Sequence, residues 1–129
     1  MRFLLLCLSL PFMSAMGFRR PILSMTAGDG LRWFVKTETF AKPFPIVKDS
    51  LVAHRAWVAD LRSKGDVEIT SGYRVDKDGK PGGGGLMFFR SRDYASAEEL
   101  VLQDPLIKNG MVDWQLNEWI AEVGSMQIQ

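Results

Sequence analysis

The segments Val67-Glu68-Ile69-Thr70-Ser71-Gly72-Tyr73 and Leu86-Met87-Phe88-Phe89 flank the run Asp76-Lys77-Asp78-Gly79-Lys80-Pro81-Gly82-Gly83-Gly84-Gly85. The first segment alternates, with Val67, Ile69 and Ser71 on one side. The last is unbroken apolar sequence, and the run between them consists of turn formers and charges. Two strands joined in this way are predicted to pair as an antiparallel hairpin whose glycine-rich tip is mobile.

Outward from the hairpin, each side carries a helix and then a strand. Val47, Leu51, His54, Val58 and Leu61 recur at steps of four, three, four and three, which is one face of a helix ending before Gly65. Lys42-Pro43-Phe44-Pro45 makes the turn before it. Leu31-Arg32-Trp33-Phe34-Val35-Lys36-Thr37, aromatic and β-branched, reads as the first strand. Downstream, Ser96-Ala97-Glu98-Glu99 fits a capping box opening a second helix, and Asp104-Pro105 ends or bends that helix. Asn109-Gly110 turns the chain into a last strand from Trp114 to Val123. The order strand-helix-strand-strand-helix-strand predicts an α+β, ferredoxin-like fold, a four-stranded antiparallel sheet with both helices on one face.

The uncovered sheet face has its own consequence. Leu86 and Phe88 point one way and Met87 and Phe89 the other, while Trp114, Leu116 and Ile120 oppose Trp119, Ala121 and Val123, so both faces are apolar. The pattern does not choose which face meets the helices. The expected cover for the other is the same face of a second subunit, giving a homodimer.

Composition narrows the function classes. The 129 residues are 47% hydrophobic and 24% charged, enough apolar material for one compact domain. Sixteen Lys and Arg against fifteen Asp and Glu leave a net charge of +1, without the basic excess that drives nucleic-acid binding, so no nucleic-acid partner is expected. Cys7 and His54 are the sole members of their kinds. No disulfide can form within the chain and no Cys/His cluster can hold zinc.

Met1 and Arg2 precede the apolar stretch Phe3 to Phe12, and Ala15-Met16-Gly17 supplies the small residues that a signal peptidase reads. That stretch is about ten residues long, against the roughly 20 of a membrane-spanning helix, so a cleaved signal peptide and no stable membrane insertion are expected. Phe18-Arg19-Arg20 and the residues up to Ala27 carry no acid before Asp29, as in a transit peptide. A signal peptide followed at once by Phe and a short basic stretch resembles the bipartite plastid presequence of algae with secondary plastids. Secretion and a mitochondrial presequence fit the same residues. The expected organisation is a presequence, 1–29, comprising a signal peptide, 1–17, and a transit segment, 18–29, followed by one domain, 30–125. Removal of residues 1–29 leaves thirteen basic and fourteen acidic residues and no cysteine, which excludes thiol nucleophiles and thiolate metal sites from the mature chain.

Any histidine chemistry must use His54, which lies on the apolar stripe of the first helix. Two readings are open: a half-buried histidine donating one hydrogen bond, or a general acid/base whose ring a carboxylate orients. Asp104 is the candidate partner because it ends the helix alongside, although an Asp before Pro also serves as a turn or cap residue. Gly82 to Gly85 lack the following helix and Lys-Ser/Thr of a phosphate loop. The four tryptophans lie at packing positions without a basic stripe, and a single histidine makes a poor metal site, so neither metal nor cofactor is expected. Arg90 and Arg92, at the exit of the third strand, are either a grip for an acidic substrate or a solvated strand end.

The run Ala97-Glu98-Glu99-Leu100-Val101-Leu102-Gln103-Asp104-Pro105-Leu106-Ile107-Lys108-Asn109-Gly110-Met111-Val112, with His54 about fifty residues upstream, Gly72 after the second strand and a Trp-containing last strand, resembles the YCII-related proteins. The resemblance covers about Leu31 to Val123. It implies a dimeric α/β barrel, an active-site pair of His54 and Asp104, and a substrate-binding position at Gly72. Most members of the family have no assigned reaction, while relatives on this barrel include lyases, dehydrochlorinases and lactone isomerases. The chain departs from the family in two places: Gly72-Tyr73 stands where Gly-Pro is frequent, and the glycines at 82–85 lengthen a loop near the implied pocket. The expected function is a cofactor-free lyase or isomerase acting on a small organic substrate, acidic or phenolic, with His54 moving a proton and Asp104 fixing its tautomer. The alternative is a non-catalytic ligand-binding or interaction module on the same barrel.

Overall fold

The computed structural model describes residues 29–129; the expected presequence, but for its last residue, lies outside them. Strand β1 (Arg32–Phe40) alternates Phe34, Lys36, Glu38 and Phe40 on one face with Trp33, Val35, Thr37 and Thr39 on the other. Helix α1 (Phe44–Lys64) begins without a side-chain cap. Pro43 holds the extended N-cap conformation, and Pro45 sits in the first turn, where no N–H is needed. The helix stops at Gly65, whose φ of 72° lies in the left-handed region that favours glycine. Its buried residues are Val47, Ser50, His54 and Val58, with Leu51 and Leu61 half-buried beside them.

β2 (Ile69–Val75) and β3 (Pro81–Ser91) form the expected hairpin, but its glycines are not a mobile tip. The reversal is confined to the residues between the strands, where Asp76 Oδ1 accepts from the N–H groups of Asp78 at 2.8 Å and Lys80 at 3.0 Å. Gly84 and Gly85 lie within β3, opposite Thr39 and Glu38 of β1. Their lack of a side chain is what admits them: a Cβ on Gly84 would stand 2.3 Å from the Glu38 carbonyl oxygen, and one on Gly85 2.3 Å from that of Gly72. The run that looks like a linker is a close-packed seam between three strands.

Helix α2 (Tyr94–Val101) starts three residues earlier than the capping-box reading placed it. Asp93 is the N-cap and accepts from the Ser96 N–H at 2.8 Å, leaving Ser96 in the first turn. A carboxylate at a helix N-terminus also meets the positive end of the helix dipole. After Asp104 comes a separate single turn, α3 (Pro105–Lys108), and then β4 (Val112–Trp119). β4 is shorter than expected. Trp119 pairs with Trp33 near the start of β1, so Ile120, Ala121 and Val123 run on past the strand.

The sheet order is β2-β3-β1-β4, antiparallel throughout. The fold is therefore ferredoxin-like α+β, with α3 as an added turn. Phe34, Ile69, Met87, Phe89 and Leu116 from the sheet pack against Val58, Ala97 and Val101 from the helices. Met87 and Phe89 are the helix-facing pair of β3, both fully buried. On the opposite face lie Trp33, Val35, Leu86, Phe88 and Trp119, with the Phe88 and Trp119 rings edge to face at 5.9 Å.

Candidate functional site

His54 and Asp104, fifty positions apart, meet beneath α1. His54 Nδ1 lies 2.9 Å from Asp104 Oδ1, and both side chains are buried. Asp104 reaches this point because it is the N-cap of α3, where its Oδ1 also accepts from the Leu106 N–H at 2.9 Å. Its second oxygen, Oδ2, accepts from Lys36 Nζ at 2.8 Å. Lys36 in turn contacts Glu38 Oε1, two residues on along the same face of β1.

Taking charged groups out of water costs several kcal/mol each, so ions at this depth require one another. Lys36 and Asp104 are 1% and 0% exposed, and Glu38 is 7% exposed, with Lys36 held between the two carboxylates. Burial pushes the Asp104 carboxyl up, but the His54 hydrogen bond and the Lys36 charge outweigh it and hold Asp104 below the usual carboxylate range. An ionised carboxylate only accepts, so Nδ1 of His54 carries the proton that Asp104 receives. On the neutral ring, Nε2 is then the acceptor. It lies 2.9 Å from Ser71 Oγ on β2, and the Ser71 hydroxyl donates to it.

A cavity of about 510 Å³ opens beside this chain of groups, a size ordinary for small-molecule sites. His54, Ser71 and Glu38 line it together with Phe40, Tyr73 and the glycines of β3. Thus the imidazole is linked on one side to a buried ionic network and on the other, through a hydroxyl, to an open space. Such an arrangement can take a proton from a bound molecule and return it.

Other sequence candidates fall in different places. Gly72 lines the cavity with its main chain, and a Cβ there would meet nothing within 4 Å. Gly83, Gly84 and Gly85 form part of the cavity wall rather than a loop tip. Arg90 and Arg92 are not in its lining: the Arg90 guanidinium lies 5.7 Å from the Trp33 ring centroid and pairs with Glu68, and Arg92 donates to Ser96 Oγ. Among the described residues, no three His, Cys, Asp or Glu are grouped to hold a metal, and no helix is long and apolar enough to cross a membrane.

Lys36, Glu38 and Ser71 were not singled out from sequence as site residues. The signal for the first two is two charges, two residues apart and so on the same face, in a strand otherwise rich in apolar residues. Ser71 stands two residues after the buried Ile69, on the same side of β2, where the strand leaves the core and borders the cavity.

No protein-family model matches the chain, and no curated protein matches it. Among solved structures, the de novo designed protein Ferredog-Diesel aligns with a TM-score of 0.45 at 10% identity, over 66% of this chain and 82% of its own. The chain is also similar to 5-chloro-2-hydroxyhydroquinone dehydrochlorinase (TftG) from Burkholderia phenoliruptrix AC1100, in complex with 2,5-dihydroxybenzoquinone. That alignment has a TM-score of 0.56 and 18% identity, covering 68% of this chain and 93% of the dehydrochlorinase. At this identity the likeness shows a shared fold, the α+β ferredoxin-like antiparallel sheet with its helices.

Proposed function

We propose that the protein is a YCII-like small-molecule enzyme, a lyase or isomerase in which His54 moves a proton on a small organic substrate and Asp104 holds the ring. The observation that carries this reading is the suspension of His54 between Asp104 and Ser71, 2.9 Å from each, at the wall of a cavity. Elimination and isomerisation need a group that accepts and returns a proton, and His54 supplies one. The likeness to a dehydrochlorinase names the first reaction to assay, loss of HCl from 5-chloro-2-hydroxyhydroquinone, read as chloride release. His54→Gln should abolish turnover while circular dichroism and the melting transition stay close to wild type. Turnover that survives this substitution would remove His54 from the chemistry.

A second reading, a non-catalytic binding module, draws on Ser71, which already satisfies the second ring nitrogen of His54. The two readings separate at the same variant. A binding module loses affinity for the ligand that copurifies with it and has no turnover to lose.

The homodimer and the plastid presequence belong to the same proposal. The first accounts for the apolar open face of the sheet, and the second for the sequence of residues 1–29. A fluorescent protein carrying residues 1–29 should reach the plastid of an alga with secondary plastids, and Phe18→Glu should hold it in the secretory system. Secretion of the unmodified fusion would remove the plastid step, and cytosolic fluorescence would remove the presequence.

A further inference from the structure

Two charged side chains at the cavity, Glu38 at the far end of the ionic network and Arg55 on α1, make no hydrogen bond to His54 itself. Glu38 Oε1 is engaged by Lys36, whereas its second carboxylate oxygen has no hydrogen-bond partner and is not sealed off from solvent. A carboxylate 7% exposed that keeps one oxygen at a cavity wall is an acceptor lacking a donor. A carboxylate paired with the Lys36 ammonium can only accept, so this oxygen calls for a donor.

The arginines near the cavity differ in the same way. Arg62 donates to the main-chain oxygens of Ile69 and Gln129, and Arg74 to the Glu38 carbonyl oxygen and Thr39 Oγ1. Arg55, next in sequence to His54 and also lining the cavity, has no such partner. Phe40, Phe44 and Tyr73 give the remaining wall an aromatic character suited to a flat ring.

We propose that the cavity binds a small hydroxylated aromatic acid, its hydroxyl donating to Glu38 and its carboxylate paired with Arg55. This rests on the reading of the cavity as a small-molecule site and adds to it the substrate class. An ionised acceptor rewards a ligand hydroxyl, and a guanidinium rewards a carboxylate with which it can form two parallel hydrogen bonds. A hydrocarbon ring between the two polar ends fills the aromatic wall.

Calorimetric titration of the purified protein with benzoate, phenol and the three isomeric hydroxybenzoates tests this. At least one hydroxybenzoate should bind tenfold or more tightly than both benzoate and phenol. Glu38→Gln should lower hydroxybenzoate affinity by far more than it changes benzoate affinity, and so remove the advantage over benzoate. Arg55→Gln, on an exposed helical position and therefore safe for folding, should remove the advantage over phenol. No saturable binding by the wild type, no preference for a hydroxybenzoate, or equal loss for all ligands in either variant would overturn the proposal. Because the readout is binding, this outcome is independent of whether His54→Gln abolishes turnover.

Discussion

Lys36 Nζ stands 2.8 Å from Asp104 Oδ2, 68 residues further along the chain, and neither side chain is more than 1% exposed. The contact ties the central strand β1 to the start of α3. Lys36→Met would leave the Asp104 and Glu38 carboxylates without their shared cation. Breaking a buried ion pair by removing one partner costs about 3–5 kcal/mol, which is a large part of a domain's usual stability. Urea denaturation followed by tryptophan fluorescence should show a loss of this size. A loss of a few tenths would mean that the pair is solvated in solution.

Acid should act through Asp104. Burial raises its carboxyl and the His54 bond and Lys36 charge lower it further than that, so its folded pKa lies below the ordinary aspartate value of 3.8. On acidification the unfolded chain therefore takes up the proton first. The Asp104 contribution is fully present above 3.8 and is lost as pH falls through the depressed folded value. Unfolding free energies measured across this range should fall more steeply for the wild type than for Asp104→Asn. Parallel slopes for the two proteins would show that Asp104 titrates alike in both states.

The open sheet face predicts the oligomeric state. Trp33, Phe88 and Trp119 surround the buried Val35 on the sheet face that, among the described residues, no helix covers. Sedimentation equilibrium at micromolar concentration should return a dimer, and Phe88→Asp a folded monomer, because the substitution places a charge in an apolar interface. A well-folded wild-type monomer would reject the paired-sheet arrangement.

Two glycines make a paired test of the cavity wall. An alanine at Gly85 would bring its Cβ to 2.3 Å from the Gly72 carbonyl oxygen, so backbone must move, whereas one at Gly72 meets nothing within 4 Å. Gly85→Ala should cost about 1–3 kcal/mol by overpacking, and Gly72→Ala should leave thermal stability close to wild type. Equal melting shifts would mean that β2 and β3 separate more easily than their register implies.

The fold was legible because each element carried a local signal: the spacing of Val47, His54 and Val58, the hairpin around Gly79, the break at Asp104-Pro105. The approach of His54 to Asp104 was legible too, from two helices sharing a sheet face. The glycines at 82–85 were misread because turn propensity reports the freedom of glycine and not the crowding that also demands it; the crowding comes from Glu38 and Arg74, more than forty residues and about ten residues away. The start of α2 was misread because Asp93 and Ser96 are both good caps, and local sequence did not rank them. Lys36 and Glu38 escaped notice as site residues because a charge on a strand is ordinarily solvated, and their burial depends on an aspartate from the far side of the domain.

The Lys36 to Asp104 pairing also fixes something that hydrophobicity leaves open in β1. The strand has Phe34 and Phe40 on one side and Trp33 and Val35 on the other, so either side would satisfy a greasy core. A slip of one residue turns every side chain of a strand over. In β1 that slip would carry Lys36 and Glu38 out to the open face and strand Asp104 as a lone buried anion. The ionic network thus works as a key for strand register, recognising the correct alignment of β1 against α3 by charge where apolar packing alone is two-sided.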